Sequence, residues 1–352
     1  MSSPSPDAIA GYLSAMRPFW HPVLRSEDLT DRPVSVTLLN ESISLARLDG
    51  EVAAFPNVCR HLGAALSLGD VVDGRLLRCR YHGWQYDRTG RCVDIPLRGE
   101  GRIPAQARVR RLHSQERYGL IWVCLDDEPQ GDLPPYEEFD DPAYHKNPLV
   151  QHAEWRASVP RLVMAALDDT HFSWVHPDVL GIAGQPQLPQ RLGERPVTVS
   201  DGGVLTSRYR TTMPTSPMVA DDAVPPTGER TRTAVETVDV EFFNVATVNS
   251  MKNVIFSDAG VSVTWNVYLP VSHDRTVSFT QLSRTYDRDR LHDALWEEFN
   301  LGIKEQDREI VESQQPWLLP PLRAQMILYL RPEDVPLVEF QKLMEKLNVP
   351  QL

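Results

Sequence analysis

Cysteine is scarce in this chain. Its 352 residues include four, at Cys59, Cys79, Cys92 and Cys124, too few to staple a scaffold of this length, and a reducing compartment would keep them as thiols available to metal. Positive charge is also in short supply. Against 48 Asp and Glu there are 36 Lys and Arg, and a net charge of -12 would repel a phosphate backbone, which excludes nucleic acid as an expected partner. No stretch approaches the roughly 18 apolar residues of a membrane span. The opening MSSPSPDAIAGYLSAM has neither a basic start nor a continuous apolar run, so a cytoplasmic chain with no membrane contact is expected. There is no internal repeat, and neither GxGxxG nor a GxxxxGKS/T loop occurs, so the chain shows no nucleotide site of its own. What is present, 41% hydrophobic residues, can bury a sizeable core, and the length suggests two domains.

Residues 1–6 are Ser- and Pro-rich and expected to fray, with Asp7 capping a helix over Ala8 to Met16. Short runs at Val34 to Leu39, Ile43 to Leu48, Val52 to Phe55, Leu76 to Cys79 and Leu120 to Leu125 are separated by Gly and Asp turns, the pattern of an all-β unit over 18–128. The acidic, Pro-rich segment 129–144 reads as a linker. The unit from 145 to 352 opens with one helix over Val163 to Val175. It continues through strands at Val204 to Thr211, Thr233 to Thr247, Val261 to Leu269 and Thr276 to Thr285, and closes with a helix from Leu291 to about Glu312. That order predicts an α+β fold on an antiparallel sheet.

Cys59-Arg60-His61 is followed, after seventeen residues, by Cys79-Arg80-Tyr81-His82 and then Gly83-Trp84. Each loop presents one thiol and one imidazole, a set that suits zinc or a [2Fe-2S] cluster. In a cluster, replacing two thiolates by imidazoles lowers the negative charge and raises the potential, to about -150 to +300 mV. A zinc knuckle would ordinarily use a closer Cys pair and has no need of the Gly-Trp. Cys92 and Cys124 lie outside both loops and read as small buried hydrophobes.

Further on, LDDTHFSWVHPD places Asp168, His171 and His176 in a D-x2-H-x4-H pattern. Two imidazoles and a carboxylate on one face of an iron make the facial triad of non-heme oxygenases. On an ideal helix residues i and i+5 lie about 140° apart. The two histidines therefore converge only if the helix ends or distorts near the second, which Pro177 favours. A carboxylate is expected from the last helix, where Leu291, Leu295, Phe299 and Ile303 form a stripe that leads to Asp307 and Ile310. An inward Asp307 needs a cation or iron as partner. Glu305, Glu309 and Glu312 fall on a solvated face, and Asp169 is expected at the surface. His21, His113, His145, His152, His273 and His292 match no motif and read as surface or satisfied core residues.

Together CRH, CRYHGWQYDRTGRCVDIP, the WVHP around His176 and EQDREIVESQQP resemble the Rieske non-heme iron oxygenases, over most of residues 18–316. In length and tail the chain is similar to the vanillate and dicamba O-demethylase branch. The resemblance implies an N-terminal all-β Rieske domain and a C-terminal α+β catalytic domain. It implies a [2Fe-2S] cluster with Cys59 and Cys79 on one iron and His61 and His82 on the other, and a mononuclear Fe(II) on His171, His176 and Asp307. Asp168 would bridge, across a subunit interface, from the mononuclear site to a cluster histidine of the neighbour in a homotrimer. O2 would be co-substrate, with NAD(P)H electrons arriving indirectly through a flavin reductase, with or without a ferredoxin. The implied reaction is monooxygenation, by hydroxylation or O- or N-demethylation, of a small aromatic or cyclic substrate. A cis-dihydroxylase is the alternative and a Rieske electron carrier the remote one. Where many relatives carry an asparagine three residues before the bridging aspartate, this chain has Ala165. The substrate pocket is expected against the sheet between Val204 and Thr285.

Overall fold

The computed structural model describes residues 4–99, 101–186, 188–220 and 235–349. They form two compact units, one of residues 16–133 with 269–272 and the other of the remaining described residues.

The first unit is built on three small antiparallel sheets. Strands Val34–Leu38, Glu41–Leu48 and Glu51–Pro56 pair through two tight hairpins. The second hairpin uses Asp49-Gly50, at φ 53° and 79°, the left-handed pair that a two-residue turn of matching twist demands. The first uses Leu39-Asn40, at φ 51° and 65°, and is held there because both N–H groups donate to the carbonyls of Pro270 and Val271 at 2.8 Å. A four-stranded sheet, Asp70–Val72, Leu76–Arg78, Gln85–Tyr86 and Cys92–Asp94, completes the frame of the Cys-His loops. Its core joins Phe55, Leu66, Leu77 and Tyr86 with Cys59, Cys79 and Cys92. Cys124 is buried elsewhere in the unit.

The second unit carries a nine-stranded sheet, whose longest strands are Leu205–Pro214, Thr237–Thr247, Ser250–Ser257, Gly260–Pro270 and Thr276–Arg284, paired in sequence order. Side chains of Leu205–Pro214 alternate between buried and exposed, as on a strand with one covered face. Gly260–Pro270 is buried along most of its length, as a strand covered on both faces must be. Residues 233 and 234 of the expected strand lie outside the described residues. Among the described residues five α-helices accompany the sheet: α1 (Pro6–Met16), α2 (Val159–Leu167), α3 (Phe172–Val175), α4 (Asp293–Ser313) and α5 (Val335–Lys346).

Several expectations need correction. Helix α1 starts at Pro6 and is capped by Ser5, whose Oγ accepts from Ala8 N at 3.1 Å, leaving Asp7 inside the first turn. The middle of the supposed linker is packed. Tyr136 is buried and stacks on Trp265 at 4.4 Å, and Glu137 and Glu138 pair with the buried Lys252 at 2.5 and 3.0 Å, because a buried ammonium requires counter-charge. Strand Ser250–Ser257 and helix α5, with Val338, Phe340, Leu343 and Met344 buried, were unassigned in the sequence. On α4 the inward line runs through Trp296, Asn300, Asp307 and Val311, while Leu291 is 85% exposed and Ile310 47%. A strict i+4 stripe rotates about 40° around the helix per step, so only its middle, Phe299 and Ile303, meets the core. Glu312 is not a free surface acid, since it pairs with Arg156 and Arg308.

Trp265 is fully buried against Tyr136, so Trp265→Ala should cost about 3–5 kcal/mol in denaturant unfolding of the second unit. A loss below about 1 kcal/mol would show that the stack does not organise this core.

Candidate metal centres and pocket

The two Cys-His loops are built alike. In each, the glycine four residues after the cysteine donates to the cysteine carbonyl at 3.0 Å, from Gly63 to Cys59 and from Gly83 to Cys79. The cysteine N–H in turn donates to the residue after that glycine at 2.8 Å, Cys59 to Ala64 O and Cys79 to Trp84 O. Both glycines lie at positive φ, 77° and 73°, which a side chain would strain. The result is two buried thiols and two partly exposed imidazoles, whose Nδ1 atoms lie 3.1 Å apart. Ligand atoms about 2.2 Å from one metal and at right angles stand about 3.1 Å apart, so the pair fits a shared iron. Trp84 stacks on His61 with centroids 4.8 Å apart, which explains the Trp of the motif. Tyr86, which the sequence reading did not single out, places its hydroxyl 3.1 Å from Cys59 Sγ. Burial raises the Cys59 pKa and the Tyr86 hydrogen bond opposes that, a contact of the kind that tunes cluster potential.

In the second unit the chain departs from the single helix expected over Val163 to Val175. Helix α2, opened by Val159-Pro160 with proline in its first turn, stops at Leu167. Asp168 Oδ1 accepts from Thr170 N and Thr170 Oγ1, each at 2.8 Å, a side-chain turn that competes with helical pairing. Helix α3 then begins after His171 and ends at Val175, leaving His176 at φ -119° before Pro177. The distortion foreseen near His176 is thus present, with a second break before His171. Gly181 allows the following loop to fold back, since a Cβ there would meet Ser173 N at 2.4 Å.

These breaks bring three ligand atoms together. His171 Nε2 and His176 Nε2 are 3.2 Å apart, and Asp307 Oδ1 lies 3.1 Å from His176 Nε2 and 3.6 Å from His171 Nε2. The set can hold a metal ion, and its two edges at His176 fit the right-angle spacing above, while the His171 to Asp307 edge is wider. The outer nitrogens are also placed. His176 Nδ1 is 2.8 Å from Gln306 Oε1, a contact the sequence reading missed although Gln306 adjoins Asp307. His171 Nδ1 is 3.5 Å from Asp168 Oδ2. Burial would raise the Asp168 pKa and lower that of His171, but their mutual attraction reverses both, with Thr170 aiding Asp168 and Asp307 aiding His171. The surroundings therefore favour positive charge at the His171 ring, which a divalent cation supplies.

The triad faces a mostly apolar pocket lined by Leu162, Phe172, Leu180, Met218, Phe242 and Ile255, with Ala165 on its wall. Polar lining comes from Asn253, Thr264, Asn266, Asn300 and Lys304, so helices as well as the expected sheet enclose it. Burial pushes the Lys304 pKa down to about 8. Two expectations fail nearby. Asp169 is buried rather than at the surface and pairs with Arg191 at 2.5 Å, because the chain reversal at Asp168 turns it inward; burial still pushes its pKa up to about 6. His152 Nε2 is buried without a hydrogen-bond partner among the described residues, whereas His21 and His145 are satisfied by Met16 O and Asp293 at 2.8 Å.

Four substitutions probe this geometry. Gly83→Ala combines a positive φ with a Cβ 3.0 Å from Pro96 Cγ, while at Gly63 the space is open. Gly63→Ala should carry only a backbone cost of about 1–2 kcal/mol and keep its visible absorption, and Gly83→Ala should lose more of that colour per chain. Equal loading of the two would contradict the packing argument. Gln306→Leu should weaken iron binding about 10- to 100-fold, measured by chelator competition; unchanged affinity would remove Gln306 from the site. Arg191→Met should cost about 3–5 kcal/mol by stranding Asp169, read by denaturant unfolding, and a near-neutral result would show that the pair is not structural.

Two family descriptions match the chain: the Rieske [2Fe-2S] domain over residues 19–111 and the vanillate O-demethylase oxygenase C-terminal domain over 155–348. Methylxanthine N1-demethylase NdmA of Pseudomonas putida is 30% identical over 310 residues, 86% of this chain and 82% of that protein. The oxygenase component of dicamba O-demethylase of Stenotrophomonas maltophilia is 34% identical over 196 residues, 54% of this chain and 55% of the other. Among solved structures, NdmA of Pseudomonas putida CBB5 with caffeine superposes with a TM-score of 0.76 at 28% identity, covering 96% of this chain and 92% of that one. Matched in both units and across most of the length of a relative, the chain belongs to the Rieske non-heme iron oxygenases, oxidoreductases that use a [2Fe-2S] cluster, iron, O2 and electrons delivered by a partner.

Proposed function

We propose that this oxygenase removes a methyl group from oxygen or nitrogen of a small aromatic or cyclic substrate. Its iron would be held by His171, His176 and Asp307, and its cluster by Cys59, His61, Cys79 and His82. The observation that carries the reading is the meeting of two imidazoles and a carboxylate at the wall of a mostly apolar pocket, the setting a reactive metal needs beside an organic ligand. When bound, the cluster supplies a one-electron store and the iron a site for O2 activation. The net change would be R–X–CH3 + O2 + two electrons + two protons → R–XH + CH2O + H2O. The chain shows no nucleotide loop, so NAD(P)H would serve indirectly, through a flavin reductase with or without a ferredoxin.

The chain's own residues divide the work. Leu162, Phe172, Phe242 and Ile255 exclude water and hold the ring, Gln306 and Asp168 fix the two imidazoles, and Asp307 gives the single anionic ligand. Asp168 keeps 28% of its side chain exposed while one oxygen is locked by Thr170. The other is left to connect His171 with a cluster histidine of a neighbouring chain in a ring of three. Val58, Leu62, Leu68 and Tyr81, on or beside the cluster loops, are 53–65% exposed, which supports a face that meets another chain.

Formaldehyde release from vanillate, dicamba and caffeine, with a reductase and NADH supplied, tests the reaction class; a ring diol without formaldehyde would establish the dihydroxylase alternative. His171→Ala or Asp307→Ala should lose the mononuclear iron and product while keeping the cluster spectrum, and full activity in Asp307→Ala would move the carboxylate role to Glu305 or Glu309. For the bridge, a pre-reduced Asp168→Asn enzyme given substrate and O2 should oxidise its cluster at least about 10- to 100-fold more slowly with iron retained. Oxidation at the wild-type rate would refute the bridge, and loss of iron would make Asp168 a ligand.

A further inference from the structure

Lys304 lies one turn before Asp307 on α4 and lines the same pocket. Its ammonium donates to Asn266 Oδ1 at 2.8 Å, an acceptor that also receives Thr280 Oγ1 at 2.7 Å. An ammonium has three donors and no acceptor, and Lys304 forms no salt bridge among the described residues. Asp307 acts on it through space without an ion pair. If Asp307 serves the iron, its charge is committed there. An ammonium in a pocket also lined by Leu162, Ile255 and Met218 is then short of a counter-ion, and a charge in apolar surroundings is costly until one arrives.

Two other polar atoms on this pocket's lining residues are also without partners among the described residues. Trp155 Nε1 and Thr264 Oγ1 are buried and make no hydrogen bond there, in residues only 3% and 7% exposed. Indole N–H can only donate, and the hydroxyl can donate. Three residues that line one cavity thus carry an ammonium, an indole N–H and a hydroxyl with donor capacity unspent among the described residues. The complementary ligand is acceptor-only and negatively charged, which describes a carboxylate, whose hydrogen bonds from a cation are about twice as strong as neutral ones.

We infer that Lys304 is a specificity-determining residue that selects ring substrates bearing a carboxylate, with Trp155 and Thr264 as supporting donors. This rests on the demethylase reading above and narrows its substrate class. The carboxylate would neutralise Lys304 at α4, while the apolar wall holds the ring and leaves the methyl-bearing side for the metal. A neutral amide of the same shape would bring donors of its own against donors and leave the ammonium uncompensated.

The test is calorimetric binding to the iron- and cluster-loaded enzyme, using 4-methoxybenzoate, its neutral isostere 4-methoxybenzamide, and caffeine. The acid should bind at least about tenfold more tightly than either neutral ligand. Lys304→Met should bring the acid-to-amide ratio close to one, and Lys304→Arg should restore most of it. Caffeine or the amide binding as tightly as the acid, a ratio unchanged in Lys304→Met, or no acid binding at millimolar concentration would each overturn the assignment. The wild-type comparison needs no variant to fold. Cluster absorbance and iron content of the same sample separate the two levels of failure. A fully loaded enzyme without acid preference refutes Lys304 selection alone, and an enzyme that holds no mononuclear iron refutes the reading beneath it and the selection with it.

Discussion

The carboxylate of Asp168 is the constraint on which the second unit's site depends. By accepting two hydrogen bonds from Thr170 at 2.8 Å, it ends α2 and starts a new turn in a different direction. An unbroken helix would have splayed His171 and His176 about 140° apart; with the break, their Nε2 atoms stand 3.2 Å apart. The same side chain then uses its second oxygen on His171. Local backbone geometry and imidazole orientation are thereby set by one residue, so changes at Asp168 act on both at once.

The carboxylate that meets His171 and His176, Asp307, arrives on a helix fixed at both ends. Near its start Asp293 meets Arg284 and His145 at 2.9 and 2.8 Å, and near its end Glu312 holds Arg308 and Arg156. Between these anchors Asp307 can be positioned to the few tenths of an ångström that coordination requires. The cluster loops solve a different problem. Their thiols sit in an apolar core, where a low dielectric and the Tyr86 hydroxyl would act on the potential of a cluster held there, while His61 and His82 lie toward the surface, where an electron could be exchanged with another protein.

Much of this was legible in the residues. The D-G turn, the short β runs and the paired Cys-His loops have signatures within a few positions of one another, and Asp307 follows from its inward phase on α4. What was not legible depends on contacts between distant segments. Asp169 looked like a surface acid because its partner, Arg191, is 22 residues away. The acidic segment around Glu137 and Glu138 looked like a bare linker because Lys252 lies more than a hundred residues on. The helix break at Asp168 carries a local signal, an Asp with a Thr two residues later, but the apolar periodicity on either side outweighed it. The phase of α4 was misjudged at its ends because an i+4 stripe and a helix face coincide only over about two turns.

The most direct test of a chain bearing both centres is metal analysis of the purified protein, with EPR of the dithionite-reduced state. The expected result is a brown protein with three iron atoms per chain, two from the cluster and one from the triad, two acid-labile sulfides, and the spectrum of a [2Fe-2S] cluster with histidine ligands. A colourless protein with one zinc per chain would contradict it at the Cys59, His61, Cys79 and His82 loops. Two irons per chain with an intact cluster spectrum would contradict it at His171, His176 and Asp307.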